Sequence, residues 1–532
     1  MRRLFLFLGI SALLVSCASP MAGGTLWGVR PTATPQNDPA GSSPIASLPT
    51  LPPIQTETLP APTDTSQIPT ATPIPSPTVI TPTPPPVSVG SAPTYVYETQ
   101  SGDTLSAILS RFSVTEDEIS SQAPLPASGL IDPGTLLVIP HRLTDTTPST
   151  KTIPDSEVVY SPTTLDFNTE DYVAKMGGEL SRYKEYLMST GTTSGAQAVD
   201  KIAIENSINP RLLLALIQYE SQWVSGTPDN LAKEDFPLGK IDYYYRGLFR
   251  QMMWAVQVLA DGYYGWRSGK LTELKFADGR TVRMDPELNA GTAAIQYYFS
   301  QRYADDYNHW AMAIDPNVGF PALFQKMFGD PWERASKVEP LFPAGLTQPP
   351  LTLPFVPGQV WAYTGGPHSA WELQGAQAAL DFAPSSDSAG CVESPQWVVA
   401  PAPGLVVRSG NGVVALDLDG DGHEQTGWVI LFLHIATKDR VPLGKFLNQD
   451  DLIGHPSCEG GIATGTHVHI ARKYNGEWVL ADGPLPFDLD GWIAHAGDRP
   501  YKGTLVNGDQ TLEACTCGSF ETHIVRQDHA SQ

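Results

Sequence analysis

His467 and His469 stand two residues apart in Gly465-Thr466-His467-Val468-His469, and on a β-strand residues i and i+2 face the same way. Two imidazoles side by side can bind a metal together, or one can bind it while its neighbour handles protons. A third imidazole, His434, closes the apolar, strand-like run from Trp428 to Leu433. Nine of the chain's 11 histidines lie at or beyond position 368, a clustering that a merely solvated surface does not explain. These side chains need strands beneath them, and the sequence offers strand-like runs at Gly412 to Leu416 and Trp428 to His434.

Roughly residues 350 to 500 resemble the M23 (LytM/lysostaphin-like) zinc endopeptidases. The resemblance rests on Ala378-Ala-Leu-Asp381, on Pro401-Ala-Pro-Gly404-Leu-Val-Val, on His434 and on the His467-Val-His469 pair. It implies a mainly antiparallel β domain, with His368, Asp381 and His469 as zinc ligands and His434 and His467 as catalytic groups. Two imidazoles and one carboxylate leave Zn²⁺ a positive charge and an open fourth position. The family has three residues between its first His and its Asp; Gln377 holds that place here. Since neutral Gln is a poor zinc ligand, the nearest upstream imidazole, His368, is assigned, with residues 369 to 380 as an insertion. Cys391 and Cys458 frame the motif and are expected to pair; Cys515 and Cys517 could form a second bridge or a metal clip.

The chain opens with a basic start and a short apolar run ending at Leu14-Val15-Ser16-Cys17, which resembles the lipobox of bacterial lipoproteins. Residues 1–16 are read as signal peptide and Cys17 as the lipidated N-terminus, giving an exported protein tethered to the outer face of the cytoplasmic membrane. Residues 17–93 are rich in Pro, Thr and Ser and read as a disordered spacer. The formal charge of −23 argues against nucleic acid as a partner. The expected partner is peptidoglycan, engaged by a monomer.

Residues 94–142 resemble a LysM module, a βααβ fold that binds the glycan of peptidoglycan. The resemblance rests on Tyr95-Val-Tyr-Glu-Thr-Gln-Ser101-Gly102-Asp103-Thr104-Leu105 and on the Pro133-Gly134 to Pro140 end. Leu105, Ile108, Leu109 and Phe112 make one helical stripe, with Asp103 as N-cap; Thr115 and Glu118 make a capping box for a second helix. Glycan contacts are expected around Gly102, Asp103 and Thr104.

After a linker at 143–159, residues 160–345 read as mainly helical. Asn209 and Pro210 start a helix apolar enough to be buried, ending at Glu220-Ser221. That string resembles the lysozyme-like lytic transglycosylases, which implies Glu220 as a general acid. The peptidase domain is assigned to 346–505 and a tail to 506–532. Finally, Asp417, Asp419 and Asp421 match the first half of a calcium loop. They could hold Ca²⁺, or simply form an acidic hairpin turn, since Trp428 stands where a bidentate Glu would be. The whole chain is therefore expected to be a wall-anchored peptidoglycan hydrolase, a zinc endopeptidase for peptide stems or cross-bridges with a possible second, glycan-cleaving domain; the alternative is a non-enzymatic regulator or wall-binding scaffold that activates another hydrolase.

Overall fold

A computed structural model describes residues 93–371, 375–386 and 390–527 of the chain. The signal segment, Cys17 and nearly all of the Pro-rich spacer lie outside the described residues. Among the described residues, no helix is long and apolar enough to cross a membrane.

The LysM-like segment is a three-stranded antiparallel sheet, in which Leu136–Pro140 lies between Thr94–Glu98 and Ser120–Ser121, with the helix Leu105–Phe112 packed on it. Tyr97, Ile108, Phe112, Leu137 and Ile139 form its core, as the periodicity implies. Two details differ. The helix is capped by Thr104, whose hydroxyl accepts from the Ala107 N–H, and not by Asp103. The Thr115–Glu118 capping box is present, but it closes a single 3₁₀ turn, Glu116–Glu118, where a second helix was expected. Three acidic residues in succession, with no apolar residue to bury, give that turn nothing on which to extend.

The middle of the chain is helical, built around Gly195–Asn206, Pro210–Ser221, Leu248–Arg267 and Ala290–Arg302. Asn209 caps the second of these by accepting from the Arg211 N–H at 2.9 Å, and every residue from Leu212 to Ile217 is fully buried. Residues 143–159 are not a free linker throughout: Ile153, Ser156, Glu157 and Val158 are buried, and Ile153 and Val158 join the helical core.

The C-terminal part is a nine-stranded sheet whose centre is Trp428–Leu433 beside Val468–Tyr474, then Ala379–Pro384 and Val360–His368. All six residues of Trp428–Leu433 are buried, which a sheet open to water on one face would not allow. Ile430 and Phe432 face the main core of this part, while Val429, Leu431 and Leu433 face a second cluster against which Tyr264 of the helical part packs. Trp428 and Val479 even belong to the helical core. The helical and sheet parts thus share apolar surface rather than standing as separate beads. The expected tail is also structural. His523–Val525 pairs with Val360–Ala362 as the last strand of the sheet, and Ile524 and Arg526 are buried.

Candidate metal centre and its cleft

The sheet register brings the site together. His469 lies directly opposite Asp381 on one neighbouring strand and opposite Leu433 on the other, so His434 begins just past the same row. On the far side of Asp381, the strand Val360–His368 is bulged, pairing Gly365 with Asp381 and His368 with Ala379. A Cβ at Gly365 would sit 2.4 Å from Asp381 Oδ2, so the missing side chain leaves the room that the carboxylate occupies. His368 reaches the site from this second strand instead of from the Asp strand. The segment after it turns back, with the Ala370 N–H donating to the Ala376 carbonyl at 2.9 Å. Gln377 does not join the cluster: its amide donates to the Gly375 carbonyl at 3.1 Å.

His368, Asp381 and His469 converge with their ligand atoms within 4.8 Å of one another. His368 Nε2 and His469 Nδ1 are 3.0 Å apart, and each lies 3.2 to 3.3 Å from Asp381 Oδ1. The remaining ring nitrogens settle the tautomers through the hydrogen-bond network. His368 Nδ1 donates to the Gly366 carbonyl at 2.8 Å, and His469 Nε2 donates to the Ala370 carbonyl at 3.1 Å. The nitrogens turned inward are then lone-pair donors when the rings are neutral. Two imidazole lone pairs and a carboxylate oxygen thus meet in a buried space. Asp381 Oδ1 is buried there without a well-aligned hydrogen-bond donor. Such a donor set fits a divalent cation, and backbone carbonyls on the outer nitrogens are how ligating histidines are held.

Charge compensation points the same way. Burial would raise the Asp381 pKa, but His368 and then His467 hold it well below the usual carboxylate range. Burial pulls His368 down, yet Asp381 outweighs this and leaves its pKa raised. A proton on His368 is one way to balance Asp381; a cation shared by all three residues is another. His469 is depressed mainly by burial, so its ring is neutral and free to ligate.

His434 and His467 face each other across the cleft with ring centroids 4.4 Å apart. His434 Nδ1 donates to the Glu459 carbonyl at 2.9 Å and His467 Nδ1 to the Gly465 carbonyl at 2.8 Å, which leaves both Nε2 atoms available. Burial, then His467 and His469, push His434 down to about 3. His434 also adopts φ 64°, a left-handed conformation that a bulky residue avoids unless its surroundings impose it. The cleft has a volume of about 420 Å³ and is walled by Gly460–Thr466 on one side. Cys391 and Cys458 are bonded, with Cα atoms 5.6 Å apart, and tie residues near 391 to the root of that wall. Cys515 and Cys517 are also bonded to each other, and Thr516 between them lines the cleft.

One cleft residue was not foreseen. Tyr501 stacks on His368 with centroids 4.1 Å apart and adopts φ 68°. Its only sequence signal is a Pro-Tyr turn after the last motif, which says nothing about what the ring touches.

The other candidate residues fare differently. Glu220 is far from open: its side chain is 4% exposed, with one oxygen accepting from Arg302 at 3.1 Å and the other from the Tyr303 hydroxyl at 2.9 Å. Burial raises its pKa against the opposing pull of Arg302. Asp103 is spent inside the LysM-like core, where it pairs with Arg111 and accepts from the Tyr97 hydroxyl and the Gln100 N–H; its carboxylate does not face a ligand. Gly102 and Thr104 do border a cleft. Asp417, Asp419 and Asp421 cluster, but Asp417 accepts the N–H groups of Asp419, Gly420 and Gly422, as an acidic turn does. The turn accounts for these carboxylates without calcium.

Taken together, the described residues form a sheet carrying a two-His, one-Asp cluster, joined to a helical part and a small three-stranded module. Comparison with known proteins gives particulars. Residues 97–140 match the LysM domain model, and residues 151–341 match the model described as LasA, N-terminal domain. The second match covers the Glu220 helix and lends no support to a lysozyme-like fold there. Protease LasA of Pseudomonas aeruginosa strain UCBPP-PA14 is 26% identical over 300 residues, which is 52% of this chain and 65% of that protein. Protease LasA of strain PAO1 is 26% identical over 297 residues, with the same shares. The chain thus spans just under two thirds of the length of these relatives. Among solved structures, the M23 metalloprotease pseudoalterin is 22% identical, over 32% of this chain and 96% of its own, with a TM-score of 0.27. The lysostaphin catalytic domain from Staphylococcus simulans is 20% identical, over 23% of this chain and 87% of its own, with a TM-score of 0.17. The findings support the resemblance to an M23 peptidase that carries a LysM module.

Proposed function

We propose that this chain is an exported, zinc-dependent endopeptidase that cleaves peptide stems or cross-bridges of peptidoglycan. The observation that carries the reading is the convergence of two imidazole lone pairs and the Asp381 carboxylate in one buried space, with two further imidazoles opposite. His368, Asp381 and His469 would hold the metal. Zn²⁺ suits two nitrogens and one oxygen, and it supplies Lewis acidity and a water of lowered pKa.

The chain's own residues do the rest. His434, neutral because burial disfavours its cation, presents Nε2 as the group that takes a proton from attacking water. His467, whose Nε2 lies 3.7 Å from Asp381 Oδ1, faces the developing oxyanion or the leaving amine. The carbonyls of Glu459 and Gly465 keep both rings in the tautomer these roles need. Tyr501 covers one face of His368 and narrows the cleft.

The LysM-like module would keep the enzyme on glycan, and Cys17 would tether it to the membrane through lipid. A monomer acting on peptidoglycan alone is sufficient, and the charge of −23 disfavours nucleic acid. A glycan-cleaving role for Glu220 has less behind it, because Arg302 and Tyr303 already occupy both oxygens. The test is metal analysis of the purified full chain together with peptide release from peptidoglycan. About one zinc per chain and new peptide termini are expected for a three-ligand site. Zinc-loaded protein that retains no metal, or that retains metal yet releases no peptide from any wall type, would replace this reading with that of a regulator.

A further inference from the structure

The two histidines of the candidate metal centre are held from different places in the chain. The carbonyl that holds His368 belongs to Gly366, two residues away on the same strand. The carbonyl that holds His469 belongs to Ala370, in the segment that turns back between His368 and Asp381. His469 Nδ1 faces Asp381 while its Nε2–H donates to that carbonyl, because both nitrogens share one rigid ring. Whatever fixes Ala370 therefore fixes the aim of a ligand atom.

Ala370 and its neighbours rest on the helix Leu248–Arg267. Val256, Gln257, Ala260, Tyr264 and Arg267 recur at helical spacing and form one stripe along it. The first three line a gap of about 20 Å³ whose other walls include Ala370, Trp371, Gly375 and Ala376. Gly375, at φ 117°, brings its backbone close to the helix: a Cβ there would lie 3.6 Å from the Ala260 Cβ. Tyr264 packs on the apolar cluster of Ala370, Trp371, Ala376 and Trp478, and its hydroxyl accepts from the Trp478 N–H at 3.0 Å. Arg267 fastens the end of the helix to the sheet part by pairing with buried Glu477 at 2.9 Å. Trp371 is the partition, since it lines both the metal cleft and the gap beside the helix. Little free space remains at this contact, so a larger side chain on the helix has to displace the segment.

We propose that the helix Leu248–Arg267 is the outer support of the metal centre, with Ala260 as a positioning residue that acts on His469 through Gly375, Trp371 and the Ala370 carbonyl. The inference rests on the metal reading above and goes beyond it, because the helical part then sets the geometry of a ligand that the sheet part supplies. It also accounts for the long spacing between His368 and Asp381, which provides both the carbonyl and the surface that meets the helix.

The test compares the full-length wild type with Ala260→Phe, by chelator competition for Zn²⁺ and by the visible absorption of bound Co²⁺, whose bands report ligand geometry. Ala260→Phe should weaken zinc binding by roughly 10- to 100-fold, the usual loss when the group that orients a ligand is disturbed. It should also shift the cobalt bands while the Tm of the metal-free chain stays unchanged. Arg250→Phe places the same ring at an exposed site about 15 Å earlier along the helix and should alter neither reading. Wild-type zinc affinity and cobalt bands in Ala260→Phe would overturn the proposal. Should Tm fall, the bands at saturating cobalt decide: a spectrum identical with that of the wild type overturns the support role, and a shifted one upholds it. A wild-type chain that binds neither metal overturns the metal reading and this support with it, a result distinct from an unaltered variant.

Discussion

Asp381 and Glu220 are both buried carboxylates, and the difference between their surroundings teaches what a buried acid is for. Asp381 faces three imidazoles, within 3.2 to 3.7 Å of Oδ1, whose outer nitrogens are tied to backbone carbonyls or, for His467, to its own turn. These partners can hand the charge over to a cation and stay in place. Glu220 faces Arg302, a permanent cation that cannot give up its proton, and Tyr303, a donor that simply satisfies the second oxygen. The first arrangement leaves unfilled coordinating capacity at its centre; the second is complete by itself. A carboxylate with a fixed guanidinium behaves as a strut between helices, here joining the end of Pro210–Ser221 to Arg302 at the end of Ala290–Arg302.

The comparison can be broken most directly at the metal centre. Asp381→Ala or His469→Ala should abolish zinc retention and peptide release together, measured by metal analysis and by new amino termini in digested peptidoglycan. Retention of stoichiometric zinc by either variant would show that the converging lone pairs are not the ligands.

His434→Ala and His467→Ala come next. Each should keep about one zinc per chain while peptide release falls by roughly 10²-fold or more, the usual scale for a proton-transfer group. Were His467→Ala to lose zinc and His469→Ala to keep it, the roles within the pair would be reversed.

Glu220→Gln should leave peptide release unaltered and lower stability by about 1–3 kcal/mol, since it strands Arg302 in a half-buried setting where solvent still screens part of the loss. Denaturant unfolding measures it. Loss of sugar-bond cleavage with no change in stability would instead make Glu220 a working acid.

The smallest effect concerns a third carboxylate, Glu339, which burial and then Asp155 push up to about 7. Because the folded pKa is raised, the folded state binds more protons than the unfolded state between the usual Glu range and pH 7. Its contribution is therefore fully present below the unfolded pKa and fades as pH rises through about 7. Glu339→Gln should remove that decline, gaining about 1–2 kcal/mol at pH 8 relative to pH 5 when wild type and variant are compared by thermal unfolding. Parallel stability–pH curves would show that Glu339 does not titrate in this window.

Period-two alternation suffices to put His467 and His469 on one face, and the Asn209-Pro210 start with its six buried residues suffices for the central helix, because both depend on neighbours in sequence. Most of the LysM-like core was legible for the same reason; the second helix was not, since a capping box shows where a turn begins but not whether burial prolongs it. His368 could be named only through the family resemblance, which calls for a first imidazole ahead of Asp381, and as the nearest one upstream. Its arrival on a different strand from Asp381, through a bulged hairpin beside Gly365, depended on strand register, which residue types alone leave open. The same is true of Tyr501 over His368, of the last strand at His523–Val525, and of the core shared by Trp428, Val479 and the helices. Local sequence determined which groups could do chemistry. The tertiary structure decided which of them point their lone pairs at one another, because the carbonyls that hold those rings, from Gly366, Ala370, Glu459 and Gly465, are backbone atoms present at every residue and distinguished only by where the chain places them.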